Sequence, residues 1–447
     1  MANRFSAQQP FDYNDYFSRA VTFLYKYKWI FYSNNTKFIR NGVLDAMPPD
    51  WVNDLHGASI DEFNRIPLGF VKDSWSPSFL EFLTELKRLS VEYDQHDGVV
   101  PKARKGISIK KCYEIENLTS FIDTVRPAQE SELLIDFGCG VGHLSQFINE
   151  TSGRSVLGIE GNFRYMQTAQ NRQNEKFPSS SQKVQYLNHF ITDDSTDTIR
   201  REVEERFSNC QQVSITGLHA CADLSVSAIR CFLCSPWVQH LIIMPCCYHK
   251  MSTKAQSVNE ARFQNMPMSE ELAGLLVDGK EDIICRAFLR LGCQQTAARW
   301  KDLTIEAHLR HGRIMFRRGL IDAVLRAGES VKVGKVQQIP DETTVENMLQ
   351  QFTLESETEA DARWTDEHRM QLNSLLRKYP DGHRLAEYLE CLQSCLQAVC
   401  ENIILLDRMC YMEQVSKRCG IKMVRNLVRL KNDGLSPRCF IFYASKA

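Results

Sequence analysis

The sequence has no surplus of either charge: 54 Lys and Arg against 55 Asp and Glu leave a net charge of −1 over 447 residues. A chain that binds nucleic acid over its whole surface carries a basic excess, so any such surface here is local. Apolar runs are short, and none approaches the ~18 residues that a membrane-crossing helix needs. No internal repeat appears, which excludes a solenoid or propeller. Cysteine is abundant, at 16 residues, yet scattered without the tight spacing of a disulfide scaffold. The cysteines are therefore expected as reduced thiols, and the protein as cytoplasmic, with the nucleus the second choice.

What is present suffices for a large core. Hydrophobic residues make up 43% of the chain and charged ones an ordinary 24%, and the length suggests two or three domains. The densest signal is Glu132-Leu-Leu-Ile-Asp136-Phe-Gly138-Cys139-Gly140-Val-Gly142-His143. Leu133 to Ile135 predict a strand, the glycines a tight turn, and Leu144, Phe147 and Ile148 an amphipathic helix. Glycine lets backbone approach a ligand closely, and the helix that follows points its free NH groups the same way. The next predicted strand ends in Glu160-Gly161-Asn162, about twenty residues past the glycines, the spacing at which a carboxylate holds a ribose.

A dinucleotide site shares that pattern. The run D-F-G-C-G-x-G nevertheless resembles the glycine loop of class I S-adenosylmethionine-dependent methyltransferases more than the G-x-G-x-x-G of nicotinamide enzymes. S-adenosylmethionine has no pyrophosphate to cradle, and its two cationic groups favour an acidic neighbour such as Asp136. The fold expected is α/β and Rossmann-like, with a seven-stranded sheet closed by a C-terminal antiparallel hairpin. The expected cofactor residues are Asp136, Gly138, Cys139, Gly140, Gly142, Glu160, Gly161, Asn162 and, from the loop after strand four, His219.

Along the chain, residues 1–105 read as a helical N-terminal domain. The stripe Phe17, Val21, Leu24, Tyr25 and Trp29 has helical spacing and fits packing better than base stacking. Residues 106–250 read as the core with strands one to five, opening at Lys110 and Lys111, which stand where an anionic substrate would approach. Residues 251–380 read as a helical insertion containing a basic helix, Ala307 to Arg318, and an acidic structureless stretch, Asp341 to Asp366. Residues 381–447 supply the last helix and the hairpin.

Active residues of such sheets lie beyond the carboxyl ends of the strands. His219 to Ser225 and Pro245 to Lys250 fall there. Cys246, Cys247, His249, Cys221 and His219 offer sulfur and nitrogen ligands, but adjacent cysteines are poor partners on one ion and these segments lack paired metal-ligand spacing. No metal is assigned. Cys246 would be the nucleophile if the chemistry resembled covalent methylation of a cytosine ring. Otherwise Asp223, His249 or Tyr248 would orient or deprotonate a hydroxyl or amine. The Asn/Asp-Pro-Pro-aromatic segment of many exocyclic-amine methylases is absent.

These pieces together resemble the methyltransferase-like protein 25 family, including its branch named for a ribosomal RNA adenine dimethylase domain. The resemblance rests on S-x-K-K-x-Y-E at 108–114, the glycine loop at 133–145, G-L-H-A-C-A-D-L-S at 217–225 and P-C-C-Y-H at 245–249. It continues in L-L-D-R at 405–408 and S-P-R at 436–438. Tyr113 stands where that family is expected to have histidine, and Ala222 where it has glycine. The central segments are also similar to those of enzymes that 2′-O-methylate a tRNA acceptor stem. The resemblance implies an enzyme acting on RNA, with protein as the other substrate class, or a cofactor-fold binding protein that has lost catalysis.

Overall fold

A strand buried on both faces reads as an unbroken apolar run, because helices cover it above and below. The computed structural model places the runs of this chain in such strands; it describes residues 3–33, 35–126, 132–207, 210, 212–254, 262–334, 344–358 and 361–447. The chain divides into two units, one comprising Met1–Thr22, Arg88–Thr296 and Val399–Ala447, the other Phe23–Lys87 and Ala297–Ala398.

The first unit is built on nine strands. They are β1 (Asn3–Phe5), β2 (Val91–His96), β3 (Glu132–Phe137), β4 (Ser155–Glu160), β5 (Val184–Asn188), β6 (Gln212–Cys221) and β7 (Val238–Cys246), then, past a separate pair in the second unit, β8 (Glu329–Val333) and β9 (Phe352–Ser356), the hairpin β10 (Met423–Leu430) and β11 (Phe440–Lys446). The large sheet has the order β1-β2-β10-β11-β7-β6-β3-β4-β5. Strands β3 to β7 are parallel, and β11 runs antiparallel to both β7 and β10. This is the class I methyltransferase sheet, with β10 and β11 as the expected hairpin. The order reverses between β3 and β6, so a ligand crevice is expected beyond their carboxyl ends.

Two strands were not expected. β2 pairs in parallel with β10, and β1 with β2, so the sheet has nine strands rather than seven. Residues 1–105 are therefore not a separate helical domain. The expected insertion is divided as well, since 251–296 belong to the first unit and 297–380 to the second. The acidic stretch is not structureless either: among its described residues, Val345–Gln351 is helical and leads into β9.

Helices cover the sheet: α1 (Ile109–Val125), α2 (His143–Ser152), α3 (Phe163–Lys176), α4 (Thr196–Arg206) and α5 (Leu224–Cys234). Ser108 caps α1 by accepting the Lys111 NH, and Asn162 caps α3 by accepting from the NH groups of Arg164 and Tyr165. The long helix α6 (Gly382–Cys419) is long and apolar enough to cross a membrane, contrary to the reading of the sequence; 78% of its apolar window is buried in the protein.

In the second unit the basic helix belongs to Ile305–Val324, and one face of it is core. There His308 joins Glu387 and Asn64, at 2.5 and 2.7 Å, while Arg317 is buried. That face does not meet phosphates.

Candidate functional site

Asp136 is the next-to-last residue of β3 and is buried, its Oδ2 accepting from Ser145 Oγ at 2.7 Å. Burial, reinforced by the nearby Glu160 carboxylate, pushes its pKa up to about 6 despite Ser145 and Lys111. The three glycines that follow have φ of +73, +58 and +72. They do different work. A Cβ on Gly138 would strike Leu224, and one on Gly142 the Tyr186 hydroxyl, whereas one on Gly140 would meet nothing within 4 Å. Gly140 is thus the point where backbone faces open space.

Glu160, closing β4, ties this loop to the next. Its two carboxylate oxygens accept the NH groups of Gly140 and Asn162, each at 2.9 Å. Each oxygen keeps a further lone pair for a ribose hydroxyl. Gly161 lets a neighbour come close: a Cβ there would lie 3.0 Å from the ring of Phe190. Phe190 is 77% exposed and Phe163 57%, so two aromatic faces stand free beside Glu160. Neither was singled out from the sequence; an exposed aromatic ring can stack on a base because every base has a π-face. Cys139, by contrast, is buried and its thiol pKa is raised chiefly by that burial, so it packs the loop.

The two lysines are half-buried at the start of α1. Lys111 has its pKa lowered, first by burial, and feels the charges of Glu114 and Asp136. His143, opening α2, has its pKa lowered to about 4 by burial and by the positive charges of Arg172, Lys111 and Lys176. Its Nδ1 is buried with no partner among the described residues.

The residues expected to handle a proton are placed differently. Tyr248 is fully buried, its hydroxyl reaching Glu401 Oε1 at 3.3 Å and Pro245 O at 3.5 Å with the Arg408 guanidinium over its ring. It is a core group, and burial raises its pKa well above the ordinary value. Both oxygens of Asp223 are taken, by Ser252 N and Asn265 Nδ2 at 2.8 Å each, which makes it an anchor for the loop after β7. His249 turns to the Cys293 thiol, 3.0 Å from its Nδ1. Cys246 is buried, with the Cys221 sulfur 3.1 Å away and His219 Nδ1 at 3.9 Å. That hydrogen-bonded neighbour and burial push its thiol up to about 12, so it is protonated at neutral pH and a poor nucleophile. His219, expected on the cofactor, sits 3.3 Å from the Glu114 carboxylate through its Nε2.

The comparisons with known proteins agree on what this unit contains. Residues 110–254 match the family model described as "Methyltransferase domain". The chain carries a methyltransferase domain. Such a domain takes its methyl group from S-adenosylmethionine, and Asp136, the open Gly140 and Glu160 fit that cofactor: a buried carboxylate for its cations, bare backbone and a ribose acceptor. The chain is similar to "Probable methyltransferase-like protein 25" of Homo sapiens, 22% identical over 357 residues, 74% of this chain and 52% of that one. The protein of that name in Mus musculus is 25% identical over 268 residues, covering 58% of this chain and 41% of that one. The chain thus spans about half the length of the relatives it matches or less. Among solved structures, a SAM-dependent methyltransferase from Agrobacterium tumefaciens is 16% identical, covering 38% of this chain and 51% of that one with a TM-score of 0.23. The methyltransferase domain therefore rests on its own motifs and strand order.

Proposed function

We propose that the chain transfers the methyl group of S-adenosylmethionine to a hydroxyl or amine of RNA. In that reaction the S–CH₃ bond breaks as an O–CH₃ or N–CH₃ bond forms, the thioether leaves, and the acceptor's proton passes to solvent. Gly140 and Glu160 would hold the adenosyl half, with Phe190 and Phe163 for the adenine face and Asp136 on the methionine side. What carries the RNA reading is the charge around the opening of α2. Lys102, Arg104 and Lys105 are exposed before α1, Lys110 and Lys111 lie on it, and Arg172 and Lys176 add to the field felt by His143. A protein close to neutral overall that gathers cations at one mouth attracts a polyanion there. The similarity of the central segments to tRNA 2′-O-methylating enzymes points the same way.

The test is incubation with labelled S-adenosylmethionine and total cell extract, then separation of RNA from protein. Ribonuclease-sensitive label, falling steeply as salt is raised, is expected. Label confined to protein would transfer the proposal to a protein substrate. No label in either, with the cofactor still bound, would leave a binding protein. Calorimetry checks the cofactor site itself: Glu160→Ala is expected to weaken S-adenosylmethionine binding roughly a hundredfold, about 3 kcal/mol for lost hydrogen bonds to a charged group.

A further inference from the structure

Three sulfur atoms meet beside this site. The Sγ atoms of Cys221, Cys246 and Cys247 all lie within 4.8 Å of one another, and the first two are 3.1 Å apart. Cys221 and Cys246 face each other at the carboxyl ends of β6 and β7, after a register shift between Gly217 and Ala220. Cys247 follows Cys246 directly, and in an extended strand its side chain would point to the opposite face. It does not, because Cys247 has φ +51, a left-handed conformation that L residues adopt only under constraint. That turn overrides the objection to adjacent cysteines drawn from the sequence.

We infer that Cys221, Cys246 and Cys247, with His219 as the fourth ligand, form a zinc site that locks the ends of β6 and β7. Tetrahedral zinc with Zn–S bonds of about 2.3 Å needs sulfurs roughly 3.8 Å apart, which falls within the observed spread. His219 presents Nδ1 to the cluster, 3.9 Å from Cys246, while its Nε2 faces Glu114 at 3.3 Å. A carboxylate on the far nitrogen is how a ligating imidazole is oriented. Glu114 is itself fixed by Ser436 Oγ at 2.5 Å, and Arg438 brings a guanidinium to 3.9 Å from Cys247. Three thiolates on Zn²⁺ leave one negative charge, and Arg438 is placed to offset it. On binding, three S–H bonds are lost, three Zn–S bonds form, and three protons go to solvent.

The full chain, purified without chelator and loaded with zinc alone, is expected to hold one zinc per chain. Cys246→Ser and Cys247→Ser should lose it, while the exposed Cys234→Ser retains it. Wild-type protein provides the check that needs no variant: zinc should protect Cys221, Cys246 and Cys247 together from alkylation, and a chelator should expose them. Cobalt in place of zinc should give a thiolate charge-transfer band. Less than one zinc in wild type, or equal alkylation with and without chelator, overturns the inference, as does a Cys221–Cys246 disulfide in protein kept reducing. Glu160→Ala should leave zinc content unchanged, which separates failure here from failure of the methyl-transfer reading.

Discussion

Ala222 carries a methyl group at φ +50, in a region where a Cβ presses on the following carbonyl. It is held there by its own NH, which donates to Cys246 O at 3.0 Å. Glycine has no such penalty but gives up more chain entropy on folding. Ala222→Gly is therefore expected to stabilise the protein by up to about 1 kcal/mol, read as a higher midpoint in urea. Asp136 makes a second prediction at this scale. Its pKa is about 6 folded against 3.8 ordinarily, so the folded state holds a proton that the unfolded state has released. Its contribution is whole below pH 4 and is lost as pH rises through about 6, at about 3 kcal/mol for this single group. Asp136→Asn should therefore make the change in stability between pH 4 and 7 more favourable than in the wild type, by up to about 3 kcal/mol, read from urea midpoints at the two pH values.

Among elements, the start of β3 depends on an ion pair sealed from water. Glu132 and Arg154 both have side chains with 0% exposure and bond to each other, and Arg154 also reaches Asp123 at 2.9 Å. Arg154→Met would leave the buried Glu132 carboxylate to Arg126 at 3.3 Å and the Ser214 hydroxyl at 3.4 Å, and should cost about 1.5–3 kcal/mol in urea unfolding. Adding Glu132→Leu should restore most of it. Strands β3, β4, β6 and β7 were legible in the sequence because burial on both faces leaves a largely apolar run, and β5, at the sheet edge, because Val184 and Tyr186 alternate with less buried residues. β1 and β2 were not, since Asn3–Phe5 is three residues long and Val91–His96 alternates with charge; their strand state comes from pairing with distant partners. The glycine loop and Glu160 were legible because their spacing is local. Strand order also placed His219 and Cys221 beside Cys246 and Cys247, but neither the left-handed turn that brings Cys247 onto the same face nor the approach of Glu114 to His219 was legible, because no spacing rule records them. Phe190 was hidden for a plainer reason: one aromatic in a loop has no periodicity to give it away.

For the molecule as a whole, a cofactor that binds only the folded first unit adds to its stability by mass action. At a hundred times its Kd, S-adenosylmethionine should contribute about 2.7 kcal/mol to that unit, seen as a rise in its thermal midpoint that Glu160→Ala largely abolishes. The sheet also has a consequence in time. Asp94 on β2 finds its partner in Val428 on β10, roughly 330 residues further along the chain. At the ~5–20 residues per second of protein synthesis, β2 emerges from the ribosome tens of seconds before the strand it needs exists. Through that interval the residues of β2 lack the neighbour that makes them a strand, and the backbone groups that later bond to β10 stay with water until translation is almost done.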